Sequence, residues 1–186
     1  MNREKKVPRK LVCLETYWSD RHVQAFRERS VRPFFEGLAA QLEPPLAIAH
    51  RFMDSPAQLA AYTRRREGLL WRDPETFDTP VYYLSFHGSP GKIHTALAKI
   101  GPAALCRAFA GWGKSYDNLV YFGACSVFAG KRGERFARDF LAQSGCRAVA
   151  GLHHRRQLDG QHADRPAVPA PLLRRPGALA QPAAHP

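Results

Sequence analysis

A three-layer α/β/α sandwich with a mostly parallel central sheet is the fold class this sequence predicts, on three observations. First, β-prone runs alternate with segments of helical period along most of the chain, the order that builds a parallel sheet covered by helices. Second, the runs VYYLSF (81–86) and LVYFGA (119–124) are apolar almost throughout, which argues for strands buried on both faces. Third, a chain of 186 residues, 45% hydrophobic and 24% charged, is long enough for one domain with its own core and too short for two of ordinary size.

In chain order, KLVCLE (10–15) opens the fold as a short strand. The polar and aromatic stretch TYWSDRHVQAF follows, where Tyr17, Trp18 and Asp20 either line the edge of the sheet or form an apolar lid on the core. In VRPFFEGLAAQL the residues Val31, Phe34, Phe35, Leu38 and Leu42 recur at helical spacing, with Ser30 placed to cap the helix and Pro33 tolerated in its first turn. Pro44 and Pro45 end that helix, and LAIAHRF is the second strand. Ser55 followed by Pro56 is a start signal for the helix SPAQLAAYTRRR. VYYLSF is the third strand, a helix is expected near Ala103 to Ala110, and LVYFGA is the fourth strand after the turn GWGKSYDN. The segment GERFARDFLAQSG puts Phe136, Phe140 and Leu141 on one side of a helix that Gly145 stops. RAVAG supplies a fifth strand.

Residues 1–151 thus read as the α/β domain. From Leu152 the composition shifts to Pro, Ala, Arg, His and Gln, with no aromatic residue and no sustained period. The segment 152–186 reads as a disordered tail or as the out-of-frame translation of a GC-rich gene.

The formal net charge of +12 invites a polyanionic partner. The basic residues, however, are dispersed among acidic ones and no nucleic-acid module is recognisable, so a solvated basic surface accounts for them. No apolar run is long enough to span a membrane, and the short LVCL after the basic N-terminus is too small for a signal-peptide core. The four cysteines Cys13, Cys106, Cys125 and Cys146 are scattered, without a CxxC pair or zinc-type spacing. Reduced thiols, a cytoplasmic location, and neither metal nor cofactor are therefore expected.

In a parallel sheet, catalytic groups collect beyond the carboxyl ends of the strands. His87 directly follows VYYLSF and Cys125 directly follows LVYFGA, so adjacent strands would bring imidazole and thiol together. A thiolate is a nucleophile that an imidazole can generate, orient and later serve by protonating the leaving group. The small residues around both groups let the backbone N–H groups of Gly88 and Cys125 form an oxyanion hole. Taken singly, a strand-end cysteine is an ordinary small buried residue and a His-Gly pair an ordinary loop; the paired placement is what points to chemistry. Cys13, Cys106 and Cys146 lack those flanks and read as structural. His22, His50 and His94 read as surface or packing residues.

At SFHGS and FGACS the sequence resembles the caspase-like cysteine peptidase superfamily, which includes caspases, metacaspases, gingipains, separases and the bacterial CHAT proteases. It also resembles a family of short bacterial proteins carrying FHGSPG and FG-x-CS. The resemblance runs from about Lys10 to Gly151 in the order of elements, although its specific motifs cover only about ten residues. It implies a caspase-like fold and a His87–Cys125 dyad hydrolysing peptide bonds through an acyl-enzyme, acting on a peptide or protein substrate, with room for a regulatory protein partner. In that superfamily a charged pocket residue sets the preference for the residue before the cleaved bond. Asp54, after the second strand, is either such an acidic wall, favouring a basic residue, or a helix cap. Two other classes stay open: a catalytically silent caspase-like binding module, and a basic nucleic-acid-binding protein with salt-dependent affinity.

Overall fold

The computed structural model describes residues 10–17, 30–43, 46–64, 68–69, 81–110, 118–153, 168–169 and 173–174. Along these the elements are β1 (Lys10–Glu15), α1 (Arg32–Ala39), β2 (Ala47–Phe52), α2 (Pro56–Thr63) and β3 (Val81–Ser85). Next come β4 (His87–Ser89), β5 (Lys92–His94), β6 (Lys99–Ile100), α3 (Pro102–Phe109) and β7 (Leu119–Phe122). The last are α4 (Gly130–Ser144), β8 (Ala148–His153), β9 (Val168–Pro169) and β10 (Leu173–Arg174).

The central sheet has the order β2-β1-β3-β7-β8, all parallel, with β10 and β9 pairing antiparallel to β8. The predicted α/β class with a mostly parallel sheet and covering helices is the observed one. β8 runs on to His153, two residues beyond the change in composition, and the pairs 168–169 and 173–174 add to its edges. The rest of the segment 154–186 lies outside the described residues.

The register explains why the strands are apolar on both sides. Val12, Tyr82, Val120 and Val149 stand side by side across four strands, and Leu14, Leu84 and Phe122 form the next row. Both rows face one large core shared with Leu59 of α2, Leu105 and Phe109 of α3, and Phe136 and Phe140 of α4. Phe122 lies edge-on to Phe128, Phe136 and Phe140 with ring centroids 5.2 to 5.7 Å apart, the arrangement that the aromatic quadrupole favours. On the opposite face Leu11 and Cys13 pack beneath Phe35 of α1, with Val81 and Tyr83 beside them. Tyr83 stacks on Tyr121 and takes Phe35 edge-on.

Two local expectations are corrected. Ser30 does not cap α1. The cap position is Val31, and Ser30 lies one residue upstream, where its hydroxyl donates to Glu15 at 2.8 Å and accepts from the Arg32 N–H. Nor does the whole apolar set of that helix turn inward: Phe35 is buried, while Phe34, Leu38 and Leu42 are exposed. The helix ends at Ala39, so the apolar face that would have continued through Leu42 is cut short. Pro44 and Pro45, expected to end that helix, lie outside the described residues and past its end at Ala39. Two signals hold: the Ser55 side chain accepts from the Gln58 N–H and Gly145 closes α4 at φ 78°.

Candidate active site

The strand order reverses direction between β1 and β3, the crevice where α/β sheets gather their ligands. Over that carboxyl edge lies a small antiparallel sheet, β4-β5-β6. In sequence its residues have the pattern of a loop, because strands of two or three residues are too short to show a period. The signal that could have found it is Pro90-Gly91: Gly91 at φ 76° matches the second central position of a type II turn, which favours Pro before it.

This small sheet is pinned at both ends. At one end the Gly91 N–H donates to the Val127 carbonyl at 2.8 Å, tying the β4–β5 turn to the loop after β7. At the other end the Thr95 hydroxyl donates to the Asp54 carbonyl at 2.8 Å, and the Ala96 N–H donates to the Thr16 hydroxyl at 3.0 Å. Its inner face contributes Ile93 and Ile100 to the main core. The sheet therefore bridges the edge from β2 to β7.

His87 and Cys125 are both exposed on this edge. Their chain segments touch: a Cβ added to Gly88 would lie 2.5 Å from the Cys125 carbonyl oxygen and 3.0 Å from the Ala124 Cβ. Only glycine permits that approach. β7 is held to β3 just before the cysteine, the Gly123 N–H donating to the Leu84 carbonyl at 2.8 Å. Immediately after the cysteine, Ser126 has φ 59°, the left-handed region that costs a non-glycine residue about 1–2 kcal/mol. Its carbonyl accepts from the Ala129 N–H at 3.0 Å and so closes the loop. Strain of this kind collects at functional sites, and no residue-type signal in the sequence marks it.

The three other cysteines are buried, and the Cys13 thiol is pushed up to about 12 by burial and then by the neighbouring Glu15 carboxylate. Such thiols are poor nucleophiles, in agreement with their structural reading.

Asp54 bonds to the segments after β1 and β5. It is not the cap of α2, that role belonging to Ser55. Its carboxylate accepts from the Thr16 hydroxyl at 3.1 Å and its N–H donates to the Gln58 side chain at 2.8 Å. With the Thr95 bond to its carbonyl, Asp54 joins the ends of β1 and β2 to the 95–98 turn.

Two groups carry no functional signal in the sequence. Glu15, fully buried at the end of β1, accepts from the Ser30 hydroxyl at 2.8 Å and the Val31 N–H at 3.2 Å, and lies 2.8 Å from His50 Nε2. A carboxylate at a strand end gives no sign in sequence that three donors will close around it. His94 is the second: Ser89 Oγ lies 2.9 Å from its Nε2, and His94 stands directly across from His87 in the β4–β5 ladder. Burial, followed by Lys99, His87 and Lys92, holds the His94 imidazole below its ordinary value. Tyr17 is exposed and stacks on Phe52; Trp18, Asp20 and His22 lie outside the described residues.

Among the described residues no group of three or more His, Cys, Asp or Glu side chains is arranged to hold a metal ion, and no helix is long and apolar enough to cross a membrane. In comparisons with known proteins, no family model and no curated protein matches the chain.

Proposed function

We propose that the protein is a cysteine peptidase of the caspase-like type, acting in the reducing cytoplasm through Cys125 and His87. The observation that carries this reading is the packing of Gly88 against the Cys125 carbonyl, which brings the His-Gly and Cys-Ser segments into contact on one sheet edge. Three further features support it: the exposure of Cys125 beside three buried thiols, the left-handed Ser126 that follows it, and the likeness of SFHGS and FGACS to the superfamily motifs.

In this mechanism His87 accepts the thiol proton as Cys125 Sγ attacks the scissile carbonyl carbon. The N–H groups of Gly88 and Cys125 stabilise the oxyanion. As the C–N bond breaks, His87 passes the proton to the departing amine, leaving a thioester. Water then attacks that thioester while His87 takes its proton, and the peptide carboxylate and the free thiol are restored. The hydrogen bonds of Asp54 favour a role in holding the small sheet in place over a role as the wall of a substrate pocket.

A peptidyl acyloxymethyl ketone, read by intact mass, tests the reading. We expect one adduct, on Cys125, that is abolished by Cys125→Ala and slowed about 100-fold by His87→Ala, the scale of general acid–base assistance. Labelling of Cys125 at the same rate in His87→Ala would overturn the dyad and leave a catalytically silent binding module as the better account.

A further inference from the structure

The small sheet has a second face. Residues directly opposite each other in an antiparallel ladder project to the same side, and in β4-β5-β6 these pairs are His87 with His94, Ser89 with Lys92, and His94 with Lys99. Gly88, Ile93 and Ile100 project to the other side, toward the core and the Cys125 loop. The outward face is therefore built from two histidines, two lysines and a serine, and residues 87–100 contain no carboxylate. This face sets His94 across from Lys99 and in one row with Lys92, while the Ser89 hydroxyl engages the imidazole at 2.9 Å. Like charges directly across a ladder disfavour one another, so burial and, after it, the lysines keep the imidazole uncharged until an anion offsets their charge.

We propose that the outward face of β4-β5-β6, carrying His87, Ser89, Lys92, His94 and Lys99, binds an acidic peptide segment. Size favours a peptide over a nucleic acid. Two inter-strand spacings and a three-residue strand make a patch about 10 Å by 7 Å, room for one or two carboxylates and too little for the run of phosphate contacts that nucleic-acid affinity needs. The five side chains include no Phe, Tyr or Trp on which a base could stack. Exposed Leu97, at the 95–98 turn, offers an apolar contact at one end. The assignment rests on the ladder register and stands whether or not Cys125 is a nucleophile; His87, at the open end of β4, is the one member of the row shared with the proposed dyad, and to reach Cys125 Sγ its imidazole must turn from this face.

The test is fluorescence anisotropy at physiological salt, using a short fluorescein-labelled peptide with a run of glutamates and the full-length protein. Lys92→Glu with Lys99→Glu should weaken binding about tenfold or more. Arg107→Glu with Arg138→Glu changes the net charge equally on exposed helix surface outside the ladder and should change affinity less than about twofold, because exposed charges that do not touch the peptide are screened by salt. In the unaltered protein the peptide should also shift the His94 ring signals by NMR and raise the pH at which they titrate, a readout independent of how the lysine variants fold. Equal loss in both charge-reversed pairs would reduce the effect to general attraction by a basic protein and overturn the site. So would absence of binding by the unaltered protein, or tighter capture of a single-stranded oligonucleotide through the same two lysines.

Discussion

Replacing Gly88 by alanine adds one methyl group where the chain leaves no room for it. Its Cβ would meet the Cys125 carbonyl oxygen at 2.5 Å and the Ala124 Cβ at 3.0 Å, the former roughly 1 Å inside the usual 3.5–4.0 Å of an optimal contact. Both obstacles belong to a segment that cannot retreat freely: Ala124 is buried, and the hydrogen bonds of Gly123 to Leu84 and of Gly91 to Val127 hold it on either side. Overpacking of this sort costs about 1–3 kcal/mol. For a chain of this length, a loss of about 2 kcal/mol corresponds to about 4–8 °C in Tm. The assay pairs a thermal melt with the rate of ketone labelling at Cys125. We expect a lowered Tm together with a labelling rate that falls further than His87→Ala alone explains, because the methyl group displaces both segments. A Tm within about 1 °C of the unaltered protein and unchanged labelling would refute the claim that these two segments are in close contact.

Maleimide labelling under native conditions should add one fast adduct, at exposed Cys125, and all four thiols should react only after unfolding, as counted by intact mass. Gly37→Ala should raise stability by about 0.5–1 kcal/mol in urea melts, since nothing stands within 4 Å of the new methyl group and the position is inside α1. Glu15→Ala should cost about 3 kcal/mol or more, because it strands the Ser30 hydroxyl, the Val31 N–H and the His50 ring in a buried site; a loss under about 1 kcal/mol would contradict that account. His94 is held below its ordinary value of 6.5 by burial and then by Lys99, His87 and Lys92. The folded protein therefore binds fewer protons there than the unfolded chain. This contribution to stability is complete above pH 6.5 and is lost as pH falls from there toward the folded value. His94→Gln should flatten the stability profile in that window, measured by urea midpoints on either side of it.

The five parallel strands were legible because each carries four or more residues of strand-forming, mostly apolar sequence, and a strand that must fill both faces announces itself without tertiary information. Ser55-Pro56 and Gly145 were legible for a different reason: their signals concern local backbone geometry. What stayed hidden depends on contacts between distant segments. The small sheet is made of strands two and three residues long whose stability comes from its pins to Thr16, Asp54 and Val127. Phe34, Leu38 and Leu42 have the right spacing for a buried face, yet it is Phe35, with Val31 beside it, that packs on the far side of the sheet. His50 and His94 read as ordinary because the partners that distinguish them, Glu15 and the row of basic side chains, converge only on folding.

The pins of the small sheet also set the order of events during synthesis. Its β4–β5 turn can close as soon as it leaves the ribosome, being local, but its two attachments join residues 80 positions apart at Ala96 and Thr16 and reach forward from Gly91 to Val127. Non-local closures of this kind are slow and come late. Translation must pass Val127 before the His-Gly segment has anything to rest on beside the cysteine. A nascent chain therefore carries Cys125 out of the ribosome with the His-Gly segment unsecured, and the contact between the two segments forms only once Val127 has followed. Ribosome-stalled chains of increasing length, labelled with the ketone, would show that threshold as a step in place of a gradual rise.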